Sequence, residues 1–568
     1  HGLIQARHAM RYSVVTSSFN LWLAALLFAT SLSANVHDPK ALAADPKTAS
    51  SAIAPTLAGL GQHHHAITTS SEASQAFFDQ GLRLTYAFNH SEALRAFKEA
   101  ARLDPNNAMA YWGWGLVLGP NINLPMVAEV NEQAFAATQR AITLIDGVQA
   151  HEQALINALA ARYSPVAPDD RSSLDQRYAD AMAAVHAQFP DDADIATLYA
   201  AAMMNLSPWD YWKGSGEARK NTKIFLPVLQ QVIDSHPEHP GALHYYIHTV
   251  EAVHPARGEA AADALAGLMP NAGHMVHMPS HIYMRLGRYA DSYKANVNAS
   301  LADERYVSQC RAQGIYPLNY YPHNLHFMVW SAMFQGRSAE ALAAARKVQA
   351  KVPKDMQGNA FAAFETFMSQ PLYVMVRFAD WQGILEEPEP ASSNQFMLGV
   401  WHYARGMAYA NSKQVRRAKG ELKQLEKLRK SIADDYFIGF GTAPTLLYIA
   451  EELLSGDILA KQRRYDDAIA HIARAVRLED GLLYNEPPDW YFPTRHVLGA
   501  VLLDAGQAGE AETVYWQDLR KNPGNAFSLT GLLQALKAQG KTEAAAEVAT
   551  ELRTALAEAD VSLASSRF

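Results

Sequence analysis

The chain has 568 residues, 49% hydrophobic and 19% charged, with 49 Lys and Arg against 57 Asp and Glu and a formal net charge of -8. That length suits three or four ordinary domains or one long repetitive one, and the apolar content excludes a disordered chain. The charge excludes an electrostatic nucleic-acid binder, and the single cysteine, Cys310, excludes an intramolecular disulfide and any zinc–thiolate or iron–sulfur centre. Against that one cysteine stand 22 histidines.

Residues 1–44 read as a leader. Met10 and Arg11 precede an apolar run from Leu21 to Phe28 and then small residues, with cleavage expected near Ser33–Ala34 or near Ala43. The run is too short for a comfortable membrane span, and no later stretch reaches about 18 uninterrupted apolar residues. An exported, soluble protein, periplasmic or secreted, is expected. His1 is set aside as an amino-terminal copper brace, because the signal segment lies downstream of it. Residues 34–60, rich in Ala, Pro and Ser, read as a flexible lead-in, and 45–73 as a linker that carries His63, His64 and His65.

From residue 74 onward a period of about 34 residues takes over. Gly81, Ala93, Phe97, Ala100 and Pro105 set the phase, and Tyr111-Trp-Gly-Trp-Gly115 opens the next unit. The phase returns at Gly287 and Tyr289 with Ala299, at Gly336 with Ala341, Ala345 and Pro353, and at Gly456 and Tyr465 with Ala468 and Ala475. It returns again at Gly499 and Leu502 with Ala511, Tyr515 and Pro523, and a final unit carries Gly540, Ala545 and Ala549. This spacing resembles the tetratricopeptide repeat superfamily over most of Ser74 to Ala557. The segment Gly119–Pro190 departs from it by insertion, and the units around Trp381 and Gly406 are degenerate.

The resemblance implies an all-α fold, a tetratricopeptide-type α-solenoid in which antiparallel helix pairs stack into a right-handed superhelix with a concave groove. The expected organisation is N-terminal units with insertions over 74–236, central His-rich units over 237–360 and C-terminal units over 361–568, in one continuous solenoid. Bare repeats of this kind bind peptides or partner proteins.

The histidines test that phase. Repeat positions 2, 5, 9 and 12 lie on the far side of the first helix from its core stripe. His244, His248 and Glu251 fall at 5, 9 and 12 of one unit, His274, His277 and His281 at 2, 5 and 9 of another, His323 and His326 at 2 and 5 of a third, and His496 at 5. Eight histidines thus occupy about an eighth of the repeat positions, where random scatter of the 22 would leave roughly two or three. His244 with His248, and His277 with His281, stand one turn apart, the relation that lets two imidazoles share a metal. Glu251 can complete a His/His/carboxylate set.

The wording around these residues, Gly241-Ala-Leu-His-Tyr-Tyr-Ile-His-Thr-Val-Glu251, Gly273-His-Met-Val-His-Met-Pro-Ser-His-Ile-Tyr283 and Tyr320-Tyr-Pro-His-Asn-Leu-His326, is similar to a group of bacterial exported, His-rich tetratricopeptide repeat proteins. That resemblance implies the fold and export and carries no activity with it.

Three adjacent imidazoles cannot all face one metal from a regular helix. The run His63-His64-His65 therefore folds over the groove and donates a ligand, taken as His64, or binds metal only at the surface. His402 sits on a core-stripe position and reads as packing. Asp210 and Glu365 are the carboxylates expected to orient an imidazole or carry a proton. Tyr245, Tyr246, Tyr320 and Tyr321 read as packing, and Tyr283 as a phenol available to a substrate. Arg285 and Arg288 read as helix-terminal charges, and His90, His151, His186, His236, His239, His254 and His471 as ordinary solvated or locally bonded side chains. No phosphate loop, nucleophile elbow, haem-attachment motif or His-Glu-x-x-His motif is present, and nothing around Cys310 points to a lowered pKa.

The expected function is an exported protein with a mono- or dinuclear transition-metal site in its groove. The metal would be bound by His244, His248, Glu251, His274, His277, His281, His323, His326, His64 and His496, with Glu251, Asp210 and Tyr283 in catalytic roles. Histidine ligands without cysteine suit copper or iron, with zinc open. The chemistry expected is oxidoreduction of a small-molecule or peptide substrate, and zinc-assisted hydrolysis is a lesser variant. Two other classes stay open: a scaffold that binds a peptide or partner protein, and a metal carrier without turnover.

Overall fold

The structure, a computed structural model, describes residues 52–310, 319–353 and 359–568. The leader expected at 1–44 lies outside the described residues. The described chain is mainly α-helical, with one small antiparallel hairpin of β1 (Phe437–Ile438) and β2 (Gly441–Thr442). No helix among the described residues is long and apolar enough to cross a membrane.

The chain forms two compact units, and the division falls between Ile282 and Tyr283, inside the His-rich segment. One continuous solenoid with breaks at 236 and 360 was the sequence-based expectation. The N-terminal unit holds α1 (Glu72–Tyr86), α2 (His90–Leu103), α3 (Ala108–Leu118), α4 (Asn131–Thr143), α5 (Ala150–Ala160), α6 (Ser172–Gln188), α7 (Ala193–Met204), α8 (Thr222–Ser235), α9 (Pro240–Val250), α10 (Glu259–Leu265) and α11 (Gly273–His277). Helices α12 (Pro279–Arg285) and α13 (Tyr289–Cys310) carry the chain from one unit to the other and back.

The C-terminal unit holds α14 (Tyr321–Phe334), α15 (Ser338–Ala350), α16 (Glu365–Arg377), α17 (Trp381–Glu386), α18 (Gln395–Asn411), α19 (Val415–Ser431), α20 (Ala443–Lys461), α21 (Tyr465–Asp480), α22 (Arg495–Asp504), α23 (Ala508–Lys521), α24 (Ala526–Ala538) and α25 (Thr542–Ala555). In both units each helix packs mainly on its sequence neighbours, as short connections between antiparallel helices require.

One packing device recurs in both units. Phe97 on α2 is wedged between Gly81 on α1 and Gly113 on α3; a Cβ at either glycine would stand 2.7 or 2.4 Å from its ring. Tyr515 on α23 is wedged at the same spacing between Gly499 on α22 and Gly531 on α24, where a Cβ would stand 2.4 or 2.1 Å from the ring. Glycine is required because the aromatic ring occupies the volume a side chain would take. The small positions Ala93, Ala100, Ala468, Ala475 and Ala511 are fully buried.

Helix starts follow a second shared rule. Two residues after Pro105, Pro190 and Pro523 stand Asn107, Asp192 and Asn525, and each accepts from a backbone N–H in the first turn of α3, α7 and α24, at 3.0, 2.9 and 2.8 Å. Two residues after Pro237 the same position is His239, whose Nδ1 accepts from Ala242 N–H at 3.1 Å and caps α9.

The inserted segment 119–190 is itself helical, contributing α4, α5 and α6 to the stack. From residue 52 on, the expected linker is bonded to the helices. Ile53 N–H donates to Glu99, Leu57 N–H to Gln80 and Thr68 N–H to Glu152, while Arg95 and Arg83 donate to the Ile53 and His63 carbonyls. Its own backbone groups find polar side chains on α1, α2 and α5, so low apolar content was a poor guide to order here.

Candidate metal centre

The N-terminal unit brings five of the expected histidines and Glu251 into one buried cluster. His244 and His248 stand one turn apart on α9, His274 and His277 on α11, and His281 on α12 after the break at Pro279. All are buried, with relative exposures from 0% to 5%, and Glu251 is 1% exposed. A nitrogen from each of His244, His248 and His274 lies within 4.8 Å of the others.

Protons fix how the rings are turned. His244 Nδ1 donates to the Tyr86 carbonyl at 2.6 Å, which leaves its Nε2 lone pair facing His274 Nε2 at 3.1 Å. His281 Nδ1 lies 2.7 Å from Glu251 Oε2, which leaves its Nε2 facing His277 Nε2 at 2.9 Å. His248 Nδ1 is 3.4 Å from Glu251 Oε1, and its Nε2 is buried with no hydrogen-bond partner. An orphaned buried lone pair is costly unless something electrophilic meets it. Three rings therefore present unprotonated Nε2 atoms inward while their Nδ1 protons are held from behind, the arrangement metal-ligating histidines use.

The electrostatics agree. Burial pushes His244 well below the ordinary imidazole range, with His248 adding repulsion, and burial followed by His244 and His277 does the same to His274. Burial also lowers His248, against the pull of Glu251. Neutral imidazoles result, as ligation requires. Burial alone would raise Glu251, but His281 and His248 outweigh it and hold the carboxyl at about 2.

Both oxygens of Glu251 face Nδ1 atoms, Oε1 that of His248 and Oε2 that of His281.

Two aromatic residues wall the cluster, and repeat phase gave no sign of either. Phe88 lies face to face with His248 and His274, at ring-centroid distances of 5.9 and 5.5 Å, and 4.4 Å from His244. Trp209 meets His248 edge-on at 5.0 Å and donates its indole N–H to the Ile122 carbonyl. Both sit in the left-handed region, with φ of 55° and 65°, where side chains other than Gly or Asn are strained.

Asp210 and His64 have other surroundings. Asp210 is paired with Arg219 at 2.7 Å and is partly exposed, so its neighbour Trp209 reaches the histidines in its place. His64 points outward to Asp79 at 2.7 Å, whereas His63 and His65 point inward, because successive residues of an extended segment face opposite sides. His323 and His326 lie on α14 in the C-terminal unit. The His323 ring stands 5.0 Å from Phe327, and burial takes the His326 imidazole to about 3. Tyr283 also belongs to that unit, with the Arg288 guanidinium 4.1 Å from its ring centroid.

His496 is not available as a ligand. Its Nδ1 accepts from Arg377 and its Nε2 donates to Asp518, each at 2.8 Å, so both nitrogens are used within the C-terminal unit. His402 pairs with Glu421 at 2.7 Å on a partly exposed face. Glu365 accepts from Tyr436 and from Met397 N–H. Arg288 pairs with Asp291, as a helix-terminal charge would. Burial pushes the Cys310 thiol up.

A second buried cluster joins His239, an ordinary side chain by the sequence reading, to His63 and His65 of the histidine run. Asp194, in the first turn of α7, faces His63 Nε2 at 2.9 Å, His65 Nδ1 at 2.9 Å, His239 Nε2 at 3.1 Å and the Tyr86 hydroxyl at 2.5 Å. The cap position of His239 was the one available signal.

No family model matches this chain, and a comparison with curated proteins gives no match. Among solved structures the chain is similar to a human IFIT1 dimer with m7Gppp-AAAA, at 13% identity over 86% of this chain and 91% of that one, TM-score 0.28. It is also similar to an APC/C hetero-tetramer, Cut9-Hcn1, at 12% identity over 82% and 76%, TM-score 0.30. At these scores the likeness says nothing about the histidine cluster.

Proposed function

We propose that the imidazole cluster of the N-terminal unit binds a transition metal and that the chain is an exported metal-dependent oxidoreductase acting on an organic substrate. The observation that carries this reading is the inward Nε2 set of His244, His248 and His281, each with its Nδ1 side engaged, opposite His274 and His277. A structural zinc site needs four ligands, and five imidazoles supply more. With Glu251 engaged from behind, the ligand set is all imidazole, which favours copper over iron in a mixed histidine–carboxylate site, with zinc as the redox-inactive alternative. The two Nε2–Nε2 approaches provide for one metal or a pair. When bound, the metal would supply electron transfer. The chain's own residues neutralise, orient and bury its ligands, and Phe88 and Trp209 keep water from them.

The test is elemental analysis of protein purified without a His tag and reconstituted, beside a His248→Ala, His281→Ala double variant. Near-stoichiometric metal in the wild type and its loss in the variant support the site. Absence of metal from the wild type, or equal metal in both, sinks it and leaves a peptide-binding scaffold. Paramagnetic resonance of the loaded protein separates copper and iron from zinc, and oxygen uptake with an oxidisable phenol separates an enzyme from a carrier.

A further inference from the structure

Asp194 gathers donors from three separate parts of the N-terminal unit. His63 and His65 come from the segment before α1, Tyr86 from the last residue of α1, and His239 from the cap of α9. The carboxylate is 7% exposed. Burial would raise its pKa, but hydrogen bonds from His239, His63 and His65 outweigh that and hold it well below the usual range, so it is charged.

Three imidazoles and a carboxylate also resemble a second cation site, and the protons decide against it. His239 Nδ1 accepts from Ala242 N–H, so its one proton sits on Nε2 and is directed at Asp194. A cation on that nitrogen would have to displace the α9 cap. The Tyr86 hydroxyl donates to the same oxygen, Oδ1, which also faces His63 Nε2, so that oxygen's lone pairs are already used, while Oδ2 faces His65 Nδ1.

What the hub holds matters more. Tyr86 donates its hydroxyl to Asp194 and accepts the Nδ1 proton of His244 on its carbonyl. Two residues later Phe88 stacks on His248 and His274. The third hub element, α9, carries His244 and His248 themselves. Gly241 lets these elements meet, since a Cβ there would stand 2.5 Å from the Tyr86 ring. A cavity of about 780 Å³ borders the hub on the His63 and His239 side.

We propose that Asp194 is a positioning residue for the imidazole cluster: through Tyr86 and His239 it sets the tautomer and direction of His244, and the N-terminal segment takes part by docking His63 and His65 on it. The histidine run then serves the site without ligating metal. This rests on the metal reading above only for its metal readout.

The test uses the full chain with Asp194→Asn and Tyr86→Phe, the second removing a hydroxyl while keeping the carbonyl that His244 needs. Cobalt(II) is the probe, titrated against a competing chelator well below the unfolding temperature. Both variants are expected to bind 10–100-fold more weakly, the range for lost orienting partners, and with shifted visible bands, which a loss of stability alone would not produce. Wild-type affinity and spectrum in both overturn the proposal.

A metal-free readout separates this idea from the metal reading. In protein labelled with 15N-histidine, the His244 Nδ1–H signal, identified by its absence in His244→Ala, should exchange slowly in wild type and quickly in Tyr86→Phe. Unchanged protection overturns the proposal, even if the wild type binds no cobalt and the metal reading has failed. If Asp194→Asn does not fold, Tyr86→Phe decides, and His63→Ala with His65→Ala should move the same signal.

Discussion

Glu251 and His281 meet within the imidazole cluster, Oε2 to Nδ1 at 2.7 Å, and the same carboxylate faces His248 from its other oxygen. One acidic residue thus fixes two rings from behind. Glu251→Gln keeps the shape but loses the charge that holds both Nδ1 protons in place. Metal affinity is expected to fall 10–100-fold, with secondary structure by circular dichroism unchanged. Glu251→Ala should fall further, because it also leaves a buried void. Affinity equal to wild type in Glu251→Gln would show that the carboxylate does not orient the rings.

The repeat and the His stripe were legible in sequence because both rest on periodicity, which a helix turns directly into a face. Gly81, Phe97, Gly499 and Tyr515 stand where the period puts them, and His244, His248, His274, His277 and His281 share one cluster. Phase alone could not separate His496 from them, because its bonds to Arg377 and Asp518 join residues far apart in sequence. Phe88 and Trp209 were hidden because they sit in connections, where backbone conformation and not period sets direction. The partners of the segment before α1 were hidden for a related reason. Its order comes from backbone groups meeting side chains on α1, α2 and α5, and composition does not record such partners.

The backbone at Phe88 offers a clean comparison. The residue is 4% exposed at φ 55°. Phe88→Ala should destabilise by ~3–5 kcal/mol through loss of a buried ring. Phe88→Gly loses the same ring but adopts the left-handed conformation without the Cβ penalty of about 1–2 kcal/mol. In urea unfolding the Gly variant is therefore expected to be the more stable of the two, an inversion of the usual preference for Ala. The opposite order would mean that the left-handed geometry costs nothing at this position. Both variants should weaken metal binding, since Phe88 stacks on His248 and His274.

The Gly–aromatic–Gly wedge predicts a cost for one added methyl. Gly113→Ala places a Cβ 2.4 Å from the Phe97 ring, and overpacking of this kind costs ~1–3 kcal/mol. Phe97→Leu alone should also destabilise, by leaving space between α1 and α3. Combined, the two changes should cost less than the sum of their separate effects, because the smaller side chain yields the volume the new methyl needs. Strict additivity in thermal unfolding would show that Gly113 and Phe97 do not compete for that space.

Glu365 gives the C-terminal unit a pH dependence with a definite sign. Burial raises its carboxyl to about 7 against hydrogen bonds from Tyr436 and the Met397 and Phe396 backbone that lower it. The folded state therefore holds this proton more tightly than the unfolded chain, where the carboxyl titrates at its ordinary 4.5. Stability is lost as pH rises from near that unfolded value to about 7, with a slope that approaches ~1.4 kcal/mol per pH unit for one proton, and it is flat above. Glu479 and Asp489 are raised to about 7 and about 6 by burial and act in the same window, so the wild-type profile is a sum. Glu365→Gln removes one member of that sum while keeping an oxygen to accept from Tyr436. The difference in unfolding midpoint between variant and wild type is expected to move in the variant's favour as pH rises from 5 to about 7, then stay constant. A difference independent of pH across that range would show that Glu365 is already ionised in the folded protein.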